Sequence, residues 1–154
     1  MNQIEKALET NKVSGRSKAD LLPSSVVDNL ADEIGIRNPQ WRDLYIALNG
    51  GHPEKDYYQY GDNNDFTVNN FLNLGNGDSD AESALKIKQS LFKEVEFFPI
   101  ARDGGGNILL IRINSTDLSV YAWYNDTRSK PIPIASSILE FLTKLEEFPE
   151  EDFE

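Results

Sequence analysis

The sequence predicts an α+β fold: a single domain with a largely antiparallel central sheet flanked by helices. Three observations lead there. Segments with helical apolar spacing fill the first third of the chain. The segments richest in Ile, Val, Phe, Tyr and Trp, "FFPIA", "NILLIRI" and "SVYAWY", cluster after residue 96. One amphipathic segment, "SSILEFLTKL", follows them. Helices segregated from a run of strands give α+β, whereas strict alternation would give a parallel sheet. The 154 residues suit one core.

The elements follow in order. "NQIEKALET" reads as a short first helix, and "VSGRSKAD" as a polar loop. In "LPSSVVDNLADEIGI", Val26 or Val27, Leu30 and Ile34 recur at helical spacing, and Gly35 stands where a helix would stop. In "RNPQWRDLYIALNGG", Asn38 suits the cap and Pro39 the first helical position, where a missing N–H costs nothing. Trp41, Leu44, Tyr45 and Leu48 share a face that packs a core, and Gly50 and Gly51 permit a left-handed exit. "TVNNFLNLG" reads as a strand. "SDAESALKIKQSLFKE" reads as a helix with a capping box, Ser79 with Glu82, and Asp80 also suits the positive end of its dipole. "NILLIRI" is nearly continuous in apolar residues, as for a strand covered on both faces. The closing helix carries a second box, Ser137 with Glu140, and a stripe of Ile138, Phe141, Leu142 and Leu145.

Gly104-Gly105-Gly106 invites comparison with a phosphate-cradling loop. Such a loop needs a helix after it, because helix N–H groups and the dipole hold the anion. Here a strand follows, with no Lys-Ser or Lys-Thr pair. "DGGGN" therefore reads as a hairpin turn whose glycines supply positive φ.

Other chemistry is sparse. There is no Cys, so neither disulfides nor thiolate metal sites can form. The single His52 sits between glycines and a proline with no partner set. Asp78, Asp80 and Glu82 are spaced like the start of a calcium loop, but Ser83 occupies the position that demands Gly and Gln89 the one that demands Glu. No nucleophile motif and no distinctive carboxylate pair stands out. No catalytic, cofactor-binding or metal residue is assigned, and no cofactor is expected. "NST" and "NDT" match the glycosylation triplet, but nothing in the sequence indicates export. The polar N-terminus does not read as a secretory signal, and no apolar run approaches a membrane span. A cytoplasmic location is expected.

Charge is the informative quantity. Fifteen Lys and Arg face 26 Asp and Glu, a net of −11. Residues 52–98 hold 4 basic against 9 acidic side chains, and the last nine residues, "EEFPEEDFE", hold 6 acids and no base. Such a molecule repels nucleic acid and anionic membranes and attracts basic partners. Residues 1–145 are expected to form the domain and 146–154 an acidic, disordered tail that steers a basic partner.

Four pieces in order carry a resemblance. They are "VVDNLADEIGIRNPQWRDLYIALNGG", "FPIARDGGGNILLIRI", "VYAWYND" and "IASSILEFLTKL", spanning Val26 to Leu145. Together the sequence resembles the SUKH superfamily of Smi/Knr-like proteins. "Arg37-Asn38-Pro39" departs from that family's usual Leu-Pro, and residues 52–97 match it poorly. The resemblance implies the same α+β fold without a catalytic centre. The matched residues, among them Trp41, Asn49, Gly50, Phe98, Pro99, Gly106, Asn107 and Trp123, would be structural. Bacterial members resemble immunity proteins that bind and neutralise toxin domains, often nucleases, and other relatives are protein-interaction modules.

Resemblance and charge converge. A nuclease is basic where it grips phosphates, and an acidic protein can occupy that surface. The expected function is a non-catalytic immunity protein against a cognate, basic nuclease toxin domain. The alternatives are a general interaction or regulatory module without a toxin, or an enzyme with a convergent polar pocket. The segment "DYYQYGDNNDF" best combines charge with rigid aromatic anchors. The expected contact residues are Asp56, Tyr57, Tyr58, Tyr60, Asp62, Asp65 and Phe66, supported by Asp78 and Asp80. The competing role for the tyrosines is packing in a half-buried edge strand.

Overall fold

Five strands form an antiparallel sheet in which each pairs with the next along the chain, and a separate two-stranded hairpin leans on its end. The computed structural model describes residues 2–13, 21–62, 64–74, 83–93, 95–127 and 130–147. In chain order the elements are α1 (Gln3–Thr10), α2 (Ser24–Ile34), α3 (Pro39–Ala47), β1 (Tyr57–Gly61), β2 (Asn64–Thr67), β3 (Asn70–Phe71), α4 (Ala84–Leu91), β4 (Phe97–Arg102), β5 (Ile108–Arg112), β6 (Val120–Trp123), β7 (Ile132–Ala135) and α5 (Ile138–Thr143).

The helix ends follow from side-chain chemistry. Asn2, Asn38, Ser83 and Ser137 each accept a hydrogen bond from a first-turn N–H of α1, α3, α4 and α5. The cap of α4 is Ser83, with extended backbone (φ −68°, ψ 148°), so that helix starts at Ala84 and not at the expected Ser79 box. Ser79 and Glu82 themselves lie outside the described residues. Gly35 ends α2 at φ 91°, as its position predicts. The end of α3 differs from expectation. Leu48 is already extended, and Gly50 and Gly51, both left-handed, lie in the loop beyond.

β5 is the central strand, and all of Ile108–Ile111 is buried, as its apolar run predicts. Pairing register assigns the two faces. Phe98, Leu109, Ile111, Val120 and Ala122 point one way and Phe97, Leu110, Tyr121 and Trp123 the other, because side chains alternate along a strand. α3 covers the first face, where Trp41 lies edge-on to Phe98 at 5.9 Å. Tyr45, fully buried beside Trp41, donates its hydroxyl to the Leu72 carbonyl at 2.9 Å. The end of α4 covers the second face, where Phe92 meets Trp123 edge-on at 5.3 Å. The segment "TVNNFLNLG", expected to be one strand, instead contributes to both β2 and β3, which belong to different sheets.

Candidate functional site

The turn between β4 and β5 accounts for its own donors. Asp103 Oδ1 accepts from the N–H groups of Gly105 (2.9 Å) and Asn107 (2.8 Å), and its Oδ2 from Asn107 Nδ2 (2.7 Å). An internal carboxylate thus fills the place an external anion would take. Of the three glycines, only Gly106 has positive φ.

The expected contact segment folds as β1-β2. Tyr57 pairs with Thr67, Tyr58 with Phe66, and Gln59 with Asp65. Alternation then divides its side chains between an inner and an outer face. Tyr58 and Phe66 turn inward and are each 2% exposed, so they present no surface to a partner and leave the expected contact set. The cause is packing. The Tyr58 ring lies 4.8 Å from Phe141 of α5, and its hydroxyl donates to the Ile134 carbonyl of β7 at 2.9 Å. Burial, with a lesser contribution from Glu140, raises the Tyr58 phenol above its ordinary range.

Tyr57 is also nearly covered, at 8% exposure, and its hydroxyl donates to Asp65 Oδ2 at 3.0 Å. Burial first, then the Asp65 carboxylate, raises its phenol. Tyr60 is half-buried and hydrogen-bonded through its hydroxyl to that of Tyr124. Tyr124 donates in turn to the Asp65 carbonyl at 3.3 Å, which leaves Tyr60 as the donor to Tyr124. Burial raises the Tyr124 phenol strongly, and Tyr60 adds to the effect. The tyrosines therefore brace the hairpin from below more than they display themselves.

What the hairpin does expose is polar: Gln59, Gly61, Asp62, Asn64 and Asp65. Asp56 is half-buried, and its carboxylate lies 3.7 Å from His52 Nε2. Asp78 and Asp80 lie outside the described residues. One acid joins the surface from the far end of the chain. Glu146, assigned by sequence to the tail, pairs with Tyr57 through two backbone hydrogen bonds (2.9 and 3.0 Å), so the folded region includes it. The remainder of the tail from residue 148 lies outside the described residues.

Gln59, Gly61, Asp62, Lys144 and Glu146 line a shallow polar depression beside the hairpin. Asp62, Asp65 and Glu146 bring three carboxylates to this region. The cation among the lining residues, Lys144, already faces Glu140 at 3.4 Å. Glu140 also accepts from the Ser136 hydroxyl, and that hydrogen bond, ahead of the one from Lys144, holds its carboxyl below the usual range. Such a surface offers negative charge and hydrogen-bond acceptors to a partner. Among the described residues no three metal-ligating side chains gather, and no helix is long and apolar enough to cross a membrane.

No curated protein and no solved structure gives a match to this chain. A sequence profile does: that of the SMI1 / KNR4 family (SUKH-1) matches residues 26–144. The match begins within α2, at Val26, and takes in every later described element: α3, the hairpin, the five-stranded meander, α4 and α5. The chain is therefore a member of the SMI1 / KNR4 family (SUKH-1).

Proposed function

We propose that this chain is a non-catalytic immunity protein that binds and neutralises a cognate toxin domain, a basic nuclease, in the cytoplasm. The observation that carries this reading is the hairpin surface, where Asp62 and Glu146 line the depression and Asp65, exposed and bonded to Tyr57, adds a third carboxylate, on a molecule of net charge −11. A phosphate-gripping surface must be positively charged. Complementary carboxylates steer such a partner into contact and block the place where nucleic acid would sit. Tyr57, Tyr60 and Tyr124 act beneath this surface: their hydroxyl contacts hold Asp65 and the strand that carries it. A rigid charge array loses less entropy on binding than a mobile one.

The test is co-expression with the toxin domain encoded beside this gene, followed by an association-rate measurement on the purified pair. The intact chain should abolish nuclease activity. Asp62→Lys with Asp65→Lys should slow association roughly 10- to 1,000-fold at low salt and much less at high salt. If the charge-reversed protein associates and protects as well as the parent, the hairpin is not the contact surface. If the parent itself neither binds nor protects, the immunity reading gives way to a general interaction module.

A further inference from the structure

The opposite chemistry lies on the other side of the sheet. Among the described residues, four large hydrophobic side chains are substantially exposed: Val26, Leu91, Val95 and Ile132. Two of them, Leu91 (46%) and Val95 (44%), line one groove with Phe97, Arg112, Trp123 and Lys130. Ile132 (43%) directly follows Pro131, which also lines it. The groove is open to solvent and has a volume of about 460 Å³. Exposed apolar surface gathered in one place, with polar groups at its margin, marks an interaction site more often than scattered residues do.

The walls are held in place. Lys88 Nζ donates to the carbonyls of Phe92 (2.6 Å) and Val95 (2.5 Å), which fixes the turn after α4. Phe92, which also lines the groove, meets Trp123 edge-on. The Arg112 guanidinium stands 5.2 Å from the Phe97 ring centre and 5.4 Å from that of Tyr121, and its Nε donates to the Tyr121 hydroxyl at 3.1 Å. Asp117 sits 3.5 Å from Arg112 on the far side, and Glu96 also acts on Arg112. Arginine carries five N–H donors, and these contacts leave some for an incoming carboxylate. Lys130 is exposed and forms no ion pair with any described residue. Asp117 and Glu96 offset the Arg112 charge, so Lys130 is the uncompensated cation at the groove's margin, and it favours an occupant with a carboxylate beside its apolar side chain.

We propose that this groove binds an extended peptide segment of a partner protein, one whose large apolar side chain is flanked by carboxylates. The apolar side chain would pack among Leu91, Val95, Phe97 and Trp123, and the carboxylates would meet Arg112 and Lys130. This site is separate from the acidic hairpin, so one molecule could hold a basic surface and an acidic segment at once.

The test uses the full chain, labelled with ¹⁵N, titrated with two synthetic peptides: acetyl-Glu-Glu-Trp-Glu-Glu-amide and its Lys-for-Glu counterpart. The acidic peptide should give saturable shifts at the amides of Leu91, Val95 and Arg112 and at the Trp123 indole, and the basic one should bind at least roughly tenfold more weakly. Leu91→Asp and Lys130→Glu should each weaken the acidic peptide by about tenfold or more while leaving the urea unfolding midpoint in place. Glu9→Lys, on α1, controls for overall charge and should leave binding unchanged. Equal binding of both peptides, shifts that map elsewhere, or no saturation at millimolar peptide would each overturn the proposal. So would sedimentation showing a dimer that Leu91→Asp dissolves, because the groove would then belong to a second copy of this chain.

Discussion

Replacing Tyr58 distinguishes a displayed anchor from a structural one. Its ring packs on Phe141 and its hydroxyl donates to the Ile134 carbonyl, joining the hairpin to both α5 and β7. Tyr58→Ala deletes an aromatic side chain that is 2% exposed, and losses of this kind cost about 3–5 kcal/mol. With a urea slope of about 2 kcal/mol/M, the unfolding midpoint should fall by roughly 1.5–2.5 M. Tyr58→Phe keeps the ring and removes only the donor, so it should cost about 1 kcal/mol, or about 0.5 M. The assay is urea unfolding followed by tryptophan fluorescence, with amide exchange at Phe66 as a local probe. Loss of under about 1 kcal/mol on Tyr58→Ala would mean that the ring is not a core group, and the tyrosines of this hairpin would return to the surface as partner contacts.

Four further outcomes follow from the same structure. Burial raises the phenol of Tyr45 well above its ordinary value of about 10, so its contribution to stability is complete below that pH and declines by roughly 1.4 kcal/mol per pH unit above it. Tyr45→Phe should flatten the alkaline limb of the stability curve by about one proton, and an unchanged slope between pH 10 and 11.5 would count against this assignment. Ser137→Ala removes the acceptor for the Glu140 N–H at 3.0 Å and should cost about 1 kcal/mol in thermal or urea unfolding. Gly35→Ala should destabilise by more than about 1 kcal/mol, because Gly35 has φ 91° and an added Cβ would overlap the Asn114 side chain. Gly104→Ala, where no atom lies within 4 Å of the new methyl, should change the melting temperature little.

The parts legible in sequence were those where local chemistry and tertiary demand agree. Asn38 with Pro39 and Gly35 at a left-handed position act as their types predict, and Ser137 caps α5 as expected, although the Glu140 carboxylate turns to Ser136 and Lys144 and does not close the box on the Ser137 N–H. Ser79 misled because it satisfies the box pattern, whereas Ser83 caps α4 by bonding the Lys86 N–H without an acidic partner at that position. β7, "IPIA", was missed because proline argues against a strand, yet an edge strand is where proline is tolerated. In the hairpin, composition pointed to a displayed surface, while the two-residue period put Tyr58 and Tyr60 on one side and Tyr57 and Gln59 on the other; the period gave no sign that Tyr57 is covered as well. Glu146 carried no local signal. Its pairing with Tyr57 depends on α5 turning the chain back beside β1, which only the assembled fold provides.

The arrangement of edges bears on how this fold can recognise a partner. β7 ends the meander, and an open edge strand ordinarily invites another strand to pair with it. Here Pro131 and Pro133 bring no N–H, and the Ile134 carbonyl already accepts from Tyr58. On the hairpin, Glu146 pairs with β1, and Tyr124 holds a carbonyl of β2. At these places the backbone groups through which an added strand would bind are missing or already engaged. On the two readings proposed above, recognition would fall to side chains: carboxylates around the hairpin, and apolar groups with Arg112 and Lys130 in the groove on the opposite face of the sheet. Side-chain recognition can change from one partner to the next by substitution at exposed positions such as Asp62 or Leu91, while the core that Trp41, Tyr45 and Phe98 build stays the same.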